Sequence, residues 1–189
     1  MSDDLTPSQT IGPFFSVMRP LASSQLVAPG SAGALTIAGR VFDGVGEVVT
    51  DALLELWQAD GEGRYAHPAD PRYPGAPSQG GFTGFGRCHT GPDGRFSFVT
   101  LKPGPVPGFD ERTQAPHISV SLFARGLLRR LATRIYFPDE ARANAMDPLL
   151  ASISELALRA TLIAEPAGPS RLRFDIRLQG DKETAFLAI

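Results

Sequence analysis

QAPHISVSLFARGLLRRLATRIYF, residues 114–137, is the stretch on which the fold turns. Ile118, Val120 and Leu122 alternate with His117, Ser119, Ser121 and Phe123. A period of two is the mark of a strand buried on one side. Arg125-Gly126 interrupts the pattern, and a second β-rich run returns over Leu131–Phe137. Gly126 supplies the backbone freedom that a tight turn needs, so the stretch predicts a hairpin with Arg125 at its tip. One face of its first strand presents a histidine and two serines.

On either side of this hairpin the chain reads as short strands separated by turns. Leu35–Asp43 alternates and ends in Asp43-Gly44; Ala52–Ala59 follows; Arg95–Val99 comes after an Asp93-Gly94 turn. Leu158–Ala164 and the alternating Leu172, Phe174, Ile176 and Leu178 read as further strands, and Pro138-Asp139-Glu140 opens a short helix through about Met146. The segment Lys102–Gly108 is too rich in proline for a central strand. Residues 60–92 form a long loop carrying aromatic and histidine residues, and loops of that length are usually functional. The expectation is an all-β, mostly antiparallel β-sandwich with long loops and one short helix, occupying residues 35–189. Residues 1–34, rich in Pro, Ser, Gly and Ala, form an extended arm. Its apolar residues Ile11, Phe14 and Phe15 suit packing on a partner.

The totals exclude several classes. A formal net charge of −2 gives no basic excess for nucleic acid. No apolar run approaches the roughly 18 residues of a membrane span. The acidic, polar start MSDDLTPSQT is unlike a secretory signal, and the single cysteine, Cys88, rules out an internal disulfide framework, so a cytoplasmic location is expected. The 20 glycines and 17 prolines point to many turns and little long helix.

His67, His89 and His117 and the tyrosines Tyr65, Tyr73 and Tyr136 are candidate ligands, yet none stands at a tight metal-binding spacing such as HxH or CxxC. No phosphate loop or dinucleotide fingerprint occurs. Taken by themselves, the residues reach a β-sandwich with an unusual loop and arm.

Four segments carry a resemblance further: ELWQADGEGRYAH (55–67), GFGRCHTGPDGRFSFVTLKPGPVPG (84–108), APHISVSLFARGL (115–127) and TRIYFPDE (133–140). Together with PSQTIGPFF at 7–15, they resemble the intradiol ring-cleavage dioxygenases, which hold a ferric ion between two tyrosines and two histidines at the mouth of a β-sandwich. The resemblance implies that Tyr65 occupies the first tyrosine position and His117 the first histidine position. Val106 then stands where the second tyrosine would be, and Ser119 where the second histidine would be. Ferric iron is a hard Lewis acid that one phenol and one imidazole cannot hold tightly. The chain is therefore similar to a non-metal-binding member of a two-subunit enzyme, and Fe(III) is expected in a beta-type partner of the same family, not here. The resemblance further implies that the pair opens 3,4-dihydroxybenzoate with dioxygen. Gly12 and Pro13 would wall the partner's pocket, and Arg125 would meet the substrate's carboxylate. Two alternatives remain: a self-sufficient dioxygenase that borrows Tyr73 or His89 as ligands, and a non-catalytic scaffold.

Overall fold

The computed structural model describes residues 23–73, 75, 81–108 and 112–188. The quoted stretch forms strands β7 (His117–Phe123) and β8 (Leu131–Tyr136), paired antiparallel from His117 against Tyr136 to Leu122 against Leu131. With β2 (Leu53–Trp57) and β3 (Phe85–His89) they make a four-stranded antiparallel sheet in the order β3-β2-β7-β8. The second sheet is built on β1 (Ala34–Phe42). On one edge β1 pairs antiparallel with β4 (Arg95–Leu101). On the other it pairs parallel with β10 (Arg171–Arg173) and then β11 (Ile176–Arg177), and β9 (Glu165–Gly168) lies outside β10. A two-stranded piece, β5 (Val106–Pro107) with β6 (Thr113–Gln114), stands apart from both sheets.

The inward positions are those the alternation selects. Ile37, Val41, Phe96 and Phe98 from one sheet meet Leu54, Leu56, Ile118, Val120, Leu122 and Ile135 from the other, all buried. Each such side chain stabilises the sandwich by about 1.5–3 kcal/mol relative to exposure. The polar side chains in this interior are satisfied: Thr100 donates to Gln58 Oε1 at 2.7 Å, and Gln58 Nε2 donates to the Leu101 carbonyl at 2.8 Å. Residues 23–28 lie on the chain's own edge. Gln25 bridges to Val99, the Arg87 amide donates to the Ser23 carbonyl, and Leu26 packs on the core. Residues 1–22, with Ile11, Phe14 and Phe15, lie outside the described residues.

Several local expectations need correction. The hairpin is looser than a tight turn, since seven residues separate Phe123 from Leu131. Within that loop Arg125-Gly126 does form a β-turn, closed by the Leu127 amide on the Ala124 carbonyl at 3.3 Å, with Gly126 at φ 84° as a type II turn demands. Leu158–Ala164 is not a strand: α3 (Leu156–Ala160) occupies its first half, and only Ile163 bridges to Tyr136. Its apolar residues cover one side of a short helix, a pattern that a run of four or five residues shares with a strand. Three short helices occur among the described residues where one was expected: α1 (Ala141–Met146) is followed at once by α2 (Pro148–Ser152), and α3 replaces the expected strand. The Leu172–Leu178 run is broken between Arg173 and Ile176: Phe174 fills the core and still donates its amide to the Ala38 carbonyl, but the Arg40 amide is taken by the Asp175 side chain at 3.0 Å.

A second cluster of buried residues, Tyr136, Leu150, Leu162, Ala115 and Ala185, seats the helices over the end of β8. That end, with His117 beside Tyr136, is where the candidate site lies.

Candidate functional site

The outward face of the four-stranded sheet carries a row of residues set by register: Trp57 on β2 stands opposite Ser119 on β7, which stands opposite Arg134 on β8. Above this row the segment 60–73 folds back over the sheet and lays Tyr65 on Trp57, ring centroids 5.7 Å apart and planes 14° from parallel. Two carboxylates shape that segment. Asp60 accepts from the amides of Glu62 and Arg64 and from Arg64 Nε; Asp70 accepts from the amides of Tyr65 and Arg72 and from the Arg72 guanidinium. The Arg72 guanidinium beside Asp70 lowers its pKa to about 2, so the pair stays charged and internally matched. Val106, buried on β5, closes the opposite wall. The result is a cavity of about 890 Å³ lined by Trp57, Tyr65, Pro71, Val106, Gln114 and Arg134 among others.

Arg134 is the cation of this site. Its Nη1 donates to Gln114 Oε1 at 2.8 Å and to the Tyr136 hydroxyl at 3.3 Å. The Tyr136 hydroxyl donates in turn to Asp147 Oδ1 at 3.0 Å. Asp147 is fully buried and also accepts from the amides of Leu149, Leu150 and Ala115. A phenol thus stands between a buried carboxylate and a guanidinium. Burial pushes the Tyr136 hydroxyl well above the ordinary tyrosine value, and burial raises Tyr65 too, although Arg134 opposes it. Both phenols are neutral at physiological pH. Behind them His117 is buried against Tyr136, ring centroids 5.7 Å apart. Its Nδ1 lies 2.8 Å from the Ala115 carbonyl, which can only accept, so Nδ1 carries the proton. Burial first, and the Arg134 charge second, lower its pKa to about 4.

Of the residues singled out in the sequence, Tyr65 and Val106 line one cavity, His117 lies beneath it and Ser119 faces Arg134 across the β7–β8 ladder. Tyr73 does not line it. Neither does His89, paired with Leu53 at the other end of β2 from Trp57. Arg125 sits two residues past the far end of β7, a strand that runs about 20 Å from His117 to Phe123. It is 75 % exposed and holds Asp51 through Nε at 2.9 Å. Gly12 and Pro13 lie outside the described residues. Sequence reading named Tyr136 only as one of three candidate tyrosines and missed Arg134 and Asp147. Arg134 had a signal, an outward position on a strand whose partner is Ser119, whereas Asp147 reaches the site only through tertiary packing.

The Dioxygenase family model matches residues 12–180. The alpha chain of protocatechuate 3,4-dioxygenase from Burkholderia cepacia is 41 % identical over 97 % of this chain and 97 % of the relative. That from Pseudomonas putida is 40 % identical over 96 % of this chain and 94 % of its own. The Burkholderia cepacia beta chain is 38 % identical over 79 % of this chain and 66 % of its own. The solved dioxygenase domain of a dioxygenase–carbohydrate-binding protein fusion from Streptomyces sp. SirexAA-E superposes with a TM-score of 0.57 at 30 % identity, covering 94 % of this chain and 99 % of that one. The chain belongs to the intradiol dioxygenase family.

That family is iron-dependent, and the described residues at this site do not make a ferric-ion donor set. Tyr65 offers one phenol and His117 one imidazole; Val106 offers a hydrocarbon, and Ser119 a weak hydroxyl donor. Arg134 adds a fixed positive charge close enough to act on both Tyr65 and His117. A trivalent cation brought among these groups meets repulsion where the family's chemistry requires two anionic oxygens.

Proposed function

We propose that this chain is the alpha-type subunit of a two-chain protocatechuate 3,4-dioxygenase. It pairs with an iron-bearing beta-type chain, and the pair cleaves 3,4-dihydroxybenzoate with dioxygen to 3-carboxy-cis,cis-muconate, both oxygen atoms entering the product. One observation carries the reading: in a chain that matches the family over residues 12–180, Val106 and Ser119 stand near Tyr65 and His117 and offer iron no strong donor, while Arg134 supplies a cation of its own. The near full-length likeness to two alpha chains supports the same assignment. In this reading the iron chemistry belongs to the partner, and this chain positions substrate and excludes water. Gly12 and Pro13 wall the partner's pocket, and Arg125 meets the ring carboxylate.

The test is to produce the chain alone and together with an iron-ligating intradiol chain. Alone, it is expected to contain no stoichiometric iron and to cleave nothing. Together, the two copurify and consume one dioxygen per ring opened. A tyrosinate-to-iron absorption band with one iron per chain in the isolated protein overturns the reading. So does a partner fully active without this chain.

A further inference from the structure

The proposed pairing leaves the chain's own cavity without a task. It is large enough for a substituted ring, and most of its lining is apolar. One wall is flat, because Trp57 and Tyr65 stack there; Pro71, Val106 and Pro107 face it. Among the described residues its lining holds one cation without an ion pair; His67, also in the lining, accepts the Ala69 amide at Nδ1. Asp70 and Arg72 pair with each other at 2.9 Å, Tyr65 is a neutral phenol and His117 a neutral imidazole, which leaves Arg134. The guanidinium is also incompletely used. Nη1 is committed to Gln114 and Tyr136, but Nε is buried and has no acceptor among the described residues. A buried cation with an unmet donor is a cost to the fold, and an anion bound beside the guanidinium offsets its charge.

We propose that this cavity is a metal-free, non-catalytic binding site for a monocyclic aromatic carboxylate, the ring lying against the stacked Trp57–Tyr65 pair and the carboxylate paired with the Arg134 guanidinium. The pairing fits each group. A guanidinium is the side chain best matched to a carboxylate, and its strength here is raised by the apolar surroundings. A flat aromatic wall favours an offset-stacked ring over an aliphatic one. No bond is made or broken: without a donor set for iron the site binds and releases its ligand unchanged.

Benzoate is the probe, since it carries the carboxylate and lacks the adjacent hydroxyls on which ring cleavage acts. The full chain, produced without its partner, is titrated calorimetrically with benzoate, catechol and cyclohexanecarboxylate. In the free chain the emission of Trp57, the one tryptophan, reports occupancy directly. Saturable benzoate binding is expected at one per chain. Catechol, which has the ring without the carboxylate, should bind at least about tenfold more weakly, as should benzoate to Arg134→Gln. Cyclohexanecarboxylate should bind more weakly than benzoate. The ligand comparison uses only the unmodified chain, so it stands even if Arg134→Gln fails to fold. Equal binding of benzoate and catechol overturns the proposal, as does an unchanged affinity in a folded Arg134→Gln or the absence of saturable binding. Ring cleavage is no readout here, so the outcome is separate from that of the pairing experiment.

Discussion

Asp147 accepts four hydrogen bonds without any exposure, from the amides of Ala115, Leu149 and Leu150 and from the Tyr136 hydroxyl. It caps α2, ties that helix to Ala115, two residues before β7, and fixes the phenol that Arg134 leans on. Asp147→Ala strips all four donors of their acceptor. The loss is expected to be on the order of 3–5 kcal/mol in chemical denaturation, the range for breaking a buried hydrogen-bonded charge network. Asp147→Asn keeps an acceptor and should cost clearly less. His117 gives a second expectation, in pH. Its folded pKa of about 4 lies below the ordinary 6.5, so the unfolded chain binds more protons between those values. Stability contributed by the neutral, buried imidazole is therefore complete above pH 6.5 and is lost as pH falls toward 4, by on the order of 3 kcal/mol. Arg134 sharpens the effect by opposing a second positive charge, and the distant pull of Asp147 softens it. His117→Asn, unfolded by denaturant at pH 6.5 and 4.5, should show a smaller difference than the parent. An equal difference would place the acid sensitivity in the carboxylates alone.

The segment bearing Tyr65 is held to the segment bearing Val106 by backbone packed on backbone. Gly63 has φ 74°, and a Cβ there would run into the Pro105 carbonyl; a Cβ on Gly104 would meet the Gly61 carbonyl oxygen at 2.6 Å. The Gly104 amide donates to the Asp60 carbonyl at 2.8 Å across the same seam. Gly63→Ala is expected to lose roughly 2–4 kcal/mol, from the left-handed backbone and the clash together. It should also shift the Trp57 fluorescence, because Tyr65 must move off the indole. Normal stability with an unchanged spectrum would show the seam to be slack. The seam was legible only in part. The glycines mark turns in any reading of GEGRY and KPGPVPG, but which backbones touch is decided by tertiary placement. The β7 alternation, by contrast, reported the sheet faithfully, since every second residue had to face a core shared with β1 and β4. Arg134 was visible as an outward strand residue, yet its meaning comes from Gln114, Tyr136 and Asp147, three residues brought together from separate segments. The helix ending at Met146 was legible, but α3 was read as a strand because four or five residues cannot distinguish a 3.6 period from a two-residue one.

For the molecule as a whole, the chain's own cavity and Arg125 lie at opposite ends of β7. Arg125 therefore cannot serve that cavity, and any part it takes in ring cleavage must be played across an interface. It is well placed to do so. The turn at Ala124–Leu127 carries it, Asp51 steadies it at 2.9 Å, and most of its side chain is open. Removing residues 1–16, which carry Ile11, Gly12, Pro13, Phe14 and Phe15, should weaken association with the beta-type chain and abolish turnover while leaving the thermal unfolding of the sandwich unchanged. Full activity in the truncated complex would remove the arm from the site. Arg125 allows a finer discrimination, because 3,4-dihydroxybenzoate carries a carboxylate and catechol does not. A desolvated guanidinium–carboxylate contact typically costs about 2–5 kcal/mol when one side is truncated. Arg125→Ala in the paired enzyme is thus expected to raise KM for 3,4-dihydroxybenzoate strongly and leave KM for catechol nearly unchanged. Iron content should not move, since no metal ligand is touched. The stability of this chain should change by less than about 1 kcal/mol, because an exposed pair with Asp51 contributes little to the fold. Equal losses for both substrates would assign Arg125 to holding the two chains together, and no loss for either would make it an ordinary solvated arginine at a turn.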